Sequence, residues 1–428
     1  HRYAPDEASQ KREYKRNIIE SGRYLNNESL VDVWVEQSSR RVESLKALNP
    51  NISFKEVYIN RKAYTNFASC NPKKGVHLTV PIAELLKKQS GISFLEGYMA
   101  VDLAIKGGYT YGALVEKDNK LYFINAKSVV IATGGASRIF SQTSGTNDLT
   151  GDGYAMARRA GLPLLDMEFI QFYPYRICHP NSHDIFPDIF KYGATFVNEK
   201  GERFMEKYPK QELENRDTLS RQMYLQKRVF LDMENVNVTY LKDECDDLYD
   251  IYLKYSEKRY EVKPVAHYTM GGIIINSDCS TDIKGLFCCG EVVGGLHGAK
   301  SCMRQTEYPE LNLLPSIGNH RIIGIREDLR TLMWENVGVV RTADLLFEAE
   351  EKIDTFLFEM GLINPYRLRD WIELMNMIDI AKSVVKSCIC RKESRGSHYR
   401  DDFPQEECGW LGSVLSNEDK TVFVSKKN

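Results

Sequence analysis

From Met99 onward the chain alternates apolar and polar positions in short runs, YMAVDLAI, YTYGALVE and KLYFINA, separated by the turn sequences KGG and KDNK. With ISFLEG just before them, this period of two predicts a meander of four short strands. The last leads into KSVVIATGG, where alternation gives way to a β-branched run ending on Ala132, Thr133, Gly134 and Gly135. A run without a polar face predicts a buried strand. Elsewhere the period is helical. NESLVDVWVEQSSRRVESLKALNP sets Leu30, Trp34, Val42 and Leu45 near one face, with Asn27 as cap and Pro50 as stop. PIAELLKKQ, residues 81–89, predicts a helix with Pro81 near its first turn. GDGYAMARRAG, 151–161, predicts another, opened by glycine and Asp152. From Met167 to about Tyr260 the pattern is mixed and aromatic-rich and reads as a separate lobe. Beyond Tyr308 it is mainly helical until a charged tail, SRGSHYRDDFPQEECGW.

At 428 residues the chain has room for two or three domains. Its net charge of −2 supplies no field to hold a nucleic-acid backbone, so nucleic acid is dropped as a partner. No apolar stretch approaches the ~20 residues of a membrane span, and residues 1–20 are charged rather than signal-like. Ten cysteines without a CxxC pair read as reduced thiols, which points to the cytoplasm, with membrane association through partner subunits as the alternative. Cys178, His179 and His183 lack a matching ligand group, so no metal site is expected.

Two strand ends carry the candidate chemistry. SVVIATGG, 128–135, closes on glycines that let a ligand approach the backbone. GLFCCGEVVGGLHG, 285–298, repeats the arrangement and adds Glu291, a carboxylate placed to accept from a ribityl or ribose hydroxyl. A third segment, VAHYTMGGIIIN, sets His267 at the mouth of an apolar run, with Gly271 and Gly272 expected to leave room for its ring.

The segments ATGGASR, LTGDGYAMARRAG, DMEFIQFYP, VNEKGERF, ENRD, HYTMGG, GLFCCGE, GGLHGA, MWENVGVVRT and RKESRGSHYRDDFP occur in that order. Together they resemble the flavoprotein subunit family of fumarate reductase, succinate dehydrogenase and L-aspartate oxidase. The resemblance implies an α/β fold: a split, glutathione-reductase-like FAD-binding domain with an inserted α+β capping domain and a helical C-terminal domain. Its boundaries would fall at 1–165 and 263–325 for the FAD domain, 166–262 for the cap and 326–428 for the helical region and tail. The implied cofactor is FAD, held by Ala132, Thr133, Gly134, Gly135, Asp152 and Glu291. The implied reaction moves a hydride between flavin N5 and the C–C bond of a carboxylate substrate, with electrons from an iron–sulfur subunit or other carrier. Arg216 would pass the proton and His267 would bind a substrate carboxylate. Arginine's high pKa demands a path that restores the proton quickly; Glu202, Arg203, Glu206 and Glu214 are the nearby candidates in sequence.

Four departures from the family pattern qualify this reading. No GxGxxG precedes the first helix, and the pyrophosphate-binding unit is expected upstream of His1. The family's QxHP is Gln171-Phe172-Tyr173-Pro174 here, which trades a chargeable ring for one hydroxyl donor. The cap's Thr-Glu pair aligns with Pro187-Asp188. Ser301 stands where an arginine clamps the substrate carboxylate, leaving Arg304 as the nearest replacement. Gln171, Tyr173, Asp188 and Arg304 are therefore the expected substrate contacts, and a monocarboxylate enoate stands beside fumarate. An L-aspartate oxidase-like enzyme and a non-catalytic flavin-binding or scaffold subunit are the alternatives.

Overall fold

A computed structural model describes residues 8–48, 52–59, 62–69, 76–179, 182–185, 187–244, 246–300, 320–418 and 420–426. Two helices open it, α1 (Ala8–Ser21) and α2 (Glu28–Leu48), packed together through Tyr14, Ile18, Val31 and Val35. Asn27 caps α2, its side-chain oxygen accepting the Ser29 N–H at 3.1 Å. An antiparallel hairpin follows, β1 (Ile52–Ile59) with β2 (Lys62–Ser69). Next comes α3 (Val76–Lys87), which starts five residues before the predicted position and carries Pro81 in its interior.

β3 (Met99–Lys106), β4 (Tyr109–Lys117) and β5 (Lys120–Asn125) form the expected meander in order. ISFLEG does not join it; residues 92–97 are turn and irregular chain. The β-branched run becomes β6 (Val129–Ile131), buried on one face only: Ile131 is 3% exposed and Val130 59%. Then come α4 (Asp152–Arg159), β7 (Leu164–Leu165), β8 (Ile170–His179), β9 (His183–Asp184), β10 (Thr195–Asn198), α5 (Arg216–Tyr224) and β11 (Val229–Asp232). They are followed by α6 (Val238–Glu244), α7 (Asp246–Lys254), β12 (Arg259–Thr269), β13 (Gly272–Ile273) and β14 (Leu286–Cys288). Three long helices, α8 (His320–Val337), α9 (Ala343–Leu362) and α10 (Leu368–Cys390), precede a closing hairpin, β15 (Gly412–Ser416) and β16 (Thr421–Ser425).

The fold is mixed α/β, with an FAD-binding domain and a helical carboxy-terminal domain. Two large cores divide it. One gathers Ile131, Tyr154, Leu164, Ile170, Phe172 and Ala266 together with the inner faces of α8, α9 and α10. The other belongs to the aromatic-rich lobe and includes Tyr173, Tyr175, Phe196, Leu219 and Val265. Its five-stranded sheet has the order β10-β11-β12-β8-β9, antiparallel throughout. β8 and β12 thus run from one core into the other, and the chain crosses the seam at Phe172–Tyr173 and at Val265–Ala266.

The charged tail is largely buried over residues 394–400 and exposed over 401–409. Arg391, Glu393 and His398 are fully buried and Arg400 nearly so, within a network that reaches back to Asp166 and Glu168. Gly271 and Gly272 also have a different use from the one expected. A Cβ on Gly271 would lie 2.4 Å from the carbonyl oxygens of Leu165 and Asp166, and one on Gly272 would lie 2.5 Å from that of Val292. These glycines admit neighbouring backbone rather than a ring.

Candidate active site

β6 and β14 run parallel, Ile131 opposite Cys288, so the residues past their carboxyl ends, 132–135 and 290–291, come together. Gly134 (φ +75°) and Gly290 (φ +82°) are left-handed turns that favour glycine. A Cβ on Gly135 would lie 2.1 Å from Glu291 Oε1, so glycine is what lets that carboxylate lie against the backbone. Glu291 Oε1 accepts the Thr269 N–H at 3.0 Å, and the Thr269 hydroxyl accepts the Ala136 N–H at 3.3 Å. Tyr154 donates to the Glu291 carbonyl at 2.9 Å. Ala132 and Thr133 stay exposed between buried Ile131 and Gly135, and a Cβ on Gly290 would meet nothing within 4 Å. A bare strand end beside an anchored carboxylate suits a nucleotide lying along backbone, and Ala132, Thr133, Gly134, Gly135 and Glu291 would hold FAD there.

Asp152 occupies a bracing position instead. Its carboxylate accepts the Thr150 hydroxyl and the Asn376 amide, both at 2.6 Å, and burial raises its pKa. It joins α4 to α10 just behind the strand end, where a Cβ on Gly153 would lie 2.1 Å from Thr133 Oγ1.

The second group of side chains lies at the seam between the cores. The register of β12 against β8 shifts between Ala266 and Tyr268, so His267 is the extra residue of a bulge. A bulge re-aims a side chain, which explains a titratable ring at this place in a core strand. His267 stacks on Tyr173, ring centres 4.8 Å apart, and the Arg216 guanidinium lies over the same ring with Cζ at 5.0 Å. Arg216 Nη1 donates to Gln171 Oε1 at 2.9 Å. Ser144 Oγ lies 2.6 Å from His267 Nδ1. Burial first, then the charges of Arg216 and Arg176, push the His267 pKa down to about 3, so the ring is neutral at physiological pH.

Sequence reasoning thus named four residues that the structure brings together: Gln171, Tyr173, Arg216 and His267. Tyr173 contributes its ring faces, because its hydroxyl donates to the Ile185 carbonyl at 2.7 Å. Asp188 is 40% exposed and pairs with Lys191 at 2.7 Å rather than with the cluster. Ser301 and Arg304 lie outside the described residues. Of the candidates near Arg216 in sequence, Arg203 forks onto Glu212 at 2.8 Å, and Glu202 accepts from Asn198 at 2.8 Å. Ser144 and Lys300 escaped the sequence reading. Lys300 pairs with Asp217 at 3.1 Å beside the start of α5, and its signal was a basic residue directly after GGLHGA. Among the described residues no group of three or more His, Cys, Asp or Glu side chains is arranged to hold a metal ion.

The protein thus has strand ends whose backbone and carboxylate suit a nucleotide, and a guanidinium and a neutral imidazole gathered on one aromatic ring. Comparison with known proteins agrees. Residues 4–302 match the FAD binding domain family, and residues 326–424 match the fumarate reductase flavoprotein C-terminal family. An uncharacterized FAD-dependent oxidoreductase of Methanocaldococcus jannaschii is 30% identical over 95% of this chain and 86% of its own. A fumarate reductase (CoM/CoB) subunit from Methanothermobacter marburgensis is 28% identical over 94% of this chain and 85% of its own. Among solved structures, the FrdA chain of E. coli quinol fumarate reductase superposes with TM-score 0.87 at 21% identity, over 99% of this chain and 88% of that one. The chain belongs to the FAD-dependent oxidoreductase family of fumarate reductase, succinate dehydrogenase and L-aspartate oxidase, and FAD is its cofactor.

Proposed function

We propose that the protein catalyses hydride exchange between flavin N5 and the C–C bond next to a substrate carboxylate, in the manner of fumarate reductase and succinate dehydrogenase. The observation that carries this reading is the convergence of Arg216 and His267 on the Tyr173 ring, at the seam between the lobe and the FAD domain. Bound FAD supplies the hydride or accepts it. The remaining tasks fall to the chain. A neutral His267 whose Nδ1 accepts the Ser144 hydroxyl proton carries its own proton on Nε2, ready to donate to a carboxylate oxygen. Arg216, oriented by Gln171 and backed by Tyr173, stabilises the enolate-like charge that builds as hydride arrives and delivers the proton to the neighbouring carbon.

Charge argues for the class of substrate. Arg176 is paired with Asp184 at 2.9 Å and Lys300 with Asp217 at 3.1 Å, and His267 is neutral. Of the cations around the ring, Arg216 alone has no carboxylate partner among the described residues. That arrangement suits one strongly held carboxylate, so a monocarboxylate enoate is a substrate class beside fumarate. Electrons would come from an iron–sulfur subunit or another carrier, in a cytoplasmic or membrane-associated assembly. Among the described residues no helix is long and apolar enough to cross a membrane.

The test is anaerobic reduction of the flavin-loaded protein followed by mixing with fumarate, crotonate or iminoaspartate. Fumarate or crotonate should restore the oxidised spectrum, and Arg216→Gln should slow that step by about 10²–10⁴-fold. Reoxidation by iminoaspartate alone would make it an L-aspartate oxidase-like enzyme. Flavin that no acceptor reoxidises would leave a binding subunit without turnover.

A further inference from the structure

Arg216 opens α5, and by helical spacing Ser220 shares its face while Asp217, Thr218 and Arg221 fall on the next face round. That second face looks into a cavity of about 180 Å³ closed on its other side by the loop from Ser394 to Glu406. Its charge is unbalanced. The two acids on its wall are already engaged, Asp217 by Lys300 at 3.1 Å and Glu406 by Arg395. Arg395 also pairs with Glu393 at 2.7 Å. Arg221 and Arg23, in contrast, have no acidic partner among the described residues. The Arg221 guanidinium is stacked on the Tyr399 ring with Cζ at 4.7 Å, which fixes its plane and leaves its N–H edge free.

Further features point to a ligand. Asn215 stands at the N-cap of α5 and lines the cavity with Thr218, yet no side chain caps the first-turn N–H groups. A second, smaller cavity of about 10 Å³ adjoins it, sharing Asp217, Arg221 and Tyr399 and lined in addition by Ser397. Ser397 is 7% exposed and its hydroxyl has no hydrogen-bond partner among the described residues. A buried hydroxyl left unpaired beside a cationic cavity is a donor without its acceptor.

We propose that this cavity binds a small dianionic oxyanion, a phosphate or a short dicarboxylate. The ligand would bridge Arg221 and the start of α5 on the lobe to Arg23 and the carboxy-terminal loop. Two guanidinium groups around one anion match the bidentate geometry that oxyanions prefer, and the site is distinct from the cluster on Tyr173. The inference stands apart from the redox reading, because its test needs no turnover.

Calorimetric titration of the full chain with inorganic phosphate and, separately, malonate should give saturable binding that chloride at equal ionic strength does not reproduce. Whichever anion binds identifies the source. Arg221→Gln and Arg23→Ala should each weaken binding by about tenfold or more, and Arg23 is exposed enough that its loss leaves folding intact. His267→Ala should leave affinity unchanged. The proposal is overturned if neither anion binds above the chloride control, if both arginine variants bind like the wild type, or if His267→Ala alone abolishes binding.

Discussion

A single methyl group separates the roles of two glycines at the nucleotide-facing strand ends. On Gly135 it would collide with Glu291 Oε1 at 2.1 Å, forcing the carboxylate off the Thr269 N–H. A hydrogen bond to a charged group is worth about 1.5–3 kcal/mol, so Gly135→Ala should weaken FAD binding by roughly 10–100-fold. On Gly290 the same methyl meets open space but sits at φ +82°, where a left-handed residue costs about 1–2 kcal/mol. Gly290→Ala should therefore lower the melting temperature of the flavin-free protein more than it disturbs Glu291. Flavin absorbance retained after gel filtration, set beside apoprotein melting curves, checks both. Equal flavin loss in the two variants would show that the Glu291 contact is not what matters. The strand ends themselves were legible in the sequence because glycine after a β-branched run has a local cause. His267's neutrality was not, since it depends on Arg216, Arg176 and burial that only the folded sheet supplies.

At the scale of elements, β15 pairs with β7 at Leu415–Leu165 and Ser416–Leu164, and Asp166 extends that pairing. Asp166, at φ +55°, gives its N–H to the Val414 carbonyl at 2.8 Å and takes the Val414 N–H at 2.8 Å and the Ser413 hydroxyl at 3.0 Å. Burial and the neighbouring Glu168 raise its pKa from 3.8 to about 7, against the pull of Arg391. A folded-state value above the unfolded one means that stability is fully present below about pH 3.8 and is lost as pH rises through about 7. Asn at this position keeps an acceptor for Val414 and gains a donor for Ser413 without a titrating group. Thermal melts across that window should show the wild type losing ground to Asp166→Asn as pH rises; parallel curves would refute that role for Asp166. This hairpin went unread because Val422, Phe423 and Val424 make only a short apolar run behind a charged tail. Arg391 meets Glu168 at 2.6 Å across 223 residues of sequence, and no local pattern announces a partner so distant. Removing that arginine should be costly: Arg391→Met would strand Glu168 and Asp166 without their counter-charge, while Glu393 keeps Arg395, a loss of about 3–5 kcal/mol.

The whole molecule has two cores, and the candidate site straddles them. Ile170, Phe172 and Ala266 belong to the core shared with α8, α9 and α10, whereas Tyr173 and Val265 belong to the lobe. One residue along either strand changes which core a side chain reports to. In the sequence, aromatic content and broken periodicity mark the segment that carries the second core. Sequence reading could not place the seam, because a strand that passes between two cores keeps one continuous apolar pattern. The division has a mechanical consequence: the lobe can loosen while the nucleotide-binding strand ends stay folded, and Arg216 and Tyr173 would loosen with it. Phe196 is fully buried in the lobe core, away from both strand ends. Phe196→Ala should remove about 3–5 kcal/mol, felt first within the lobe. Hydrogen exchange should then speed up in β10, β11 and α5 but not in β6, β14 or α10, with flavin retained and reoxidation by substrate slowed. If exchange instead rises uniformly and flavin leaves in the same transition, the two cores unfold as one, and the lobe is not an independently mobile partner to the strand ends.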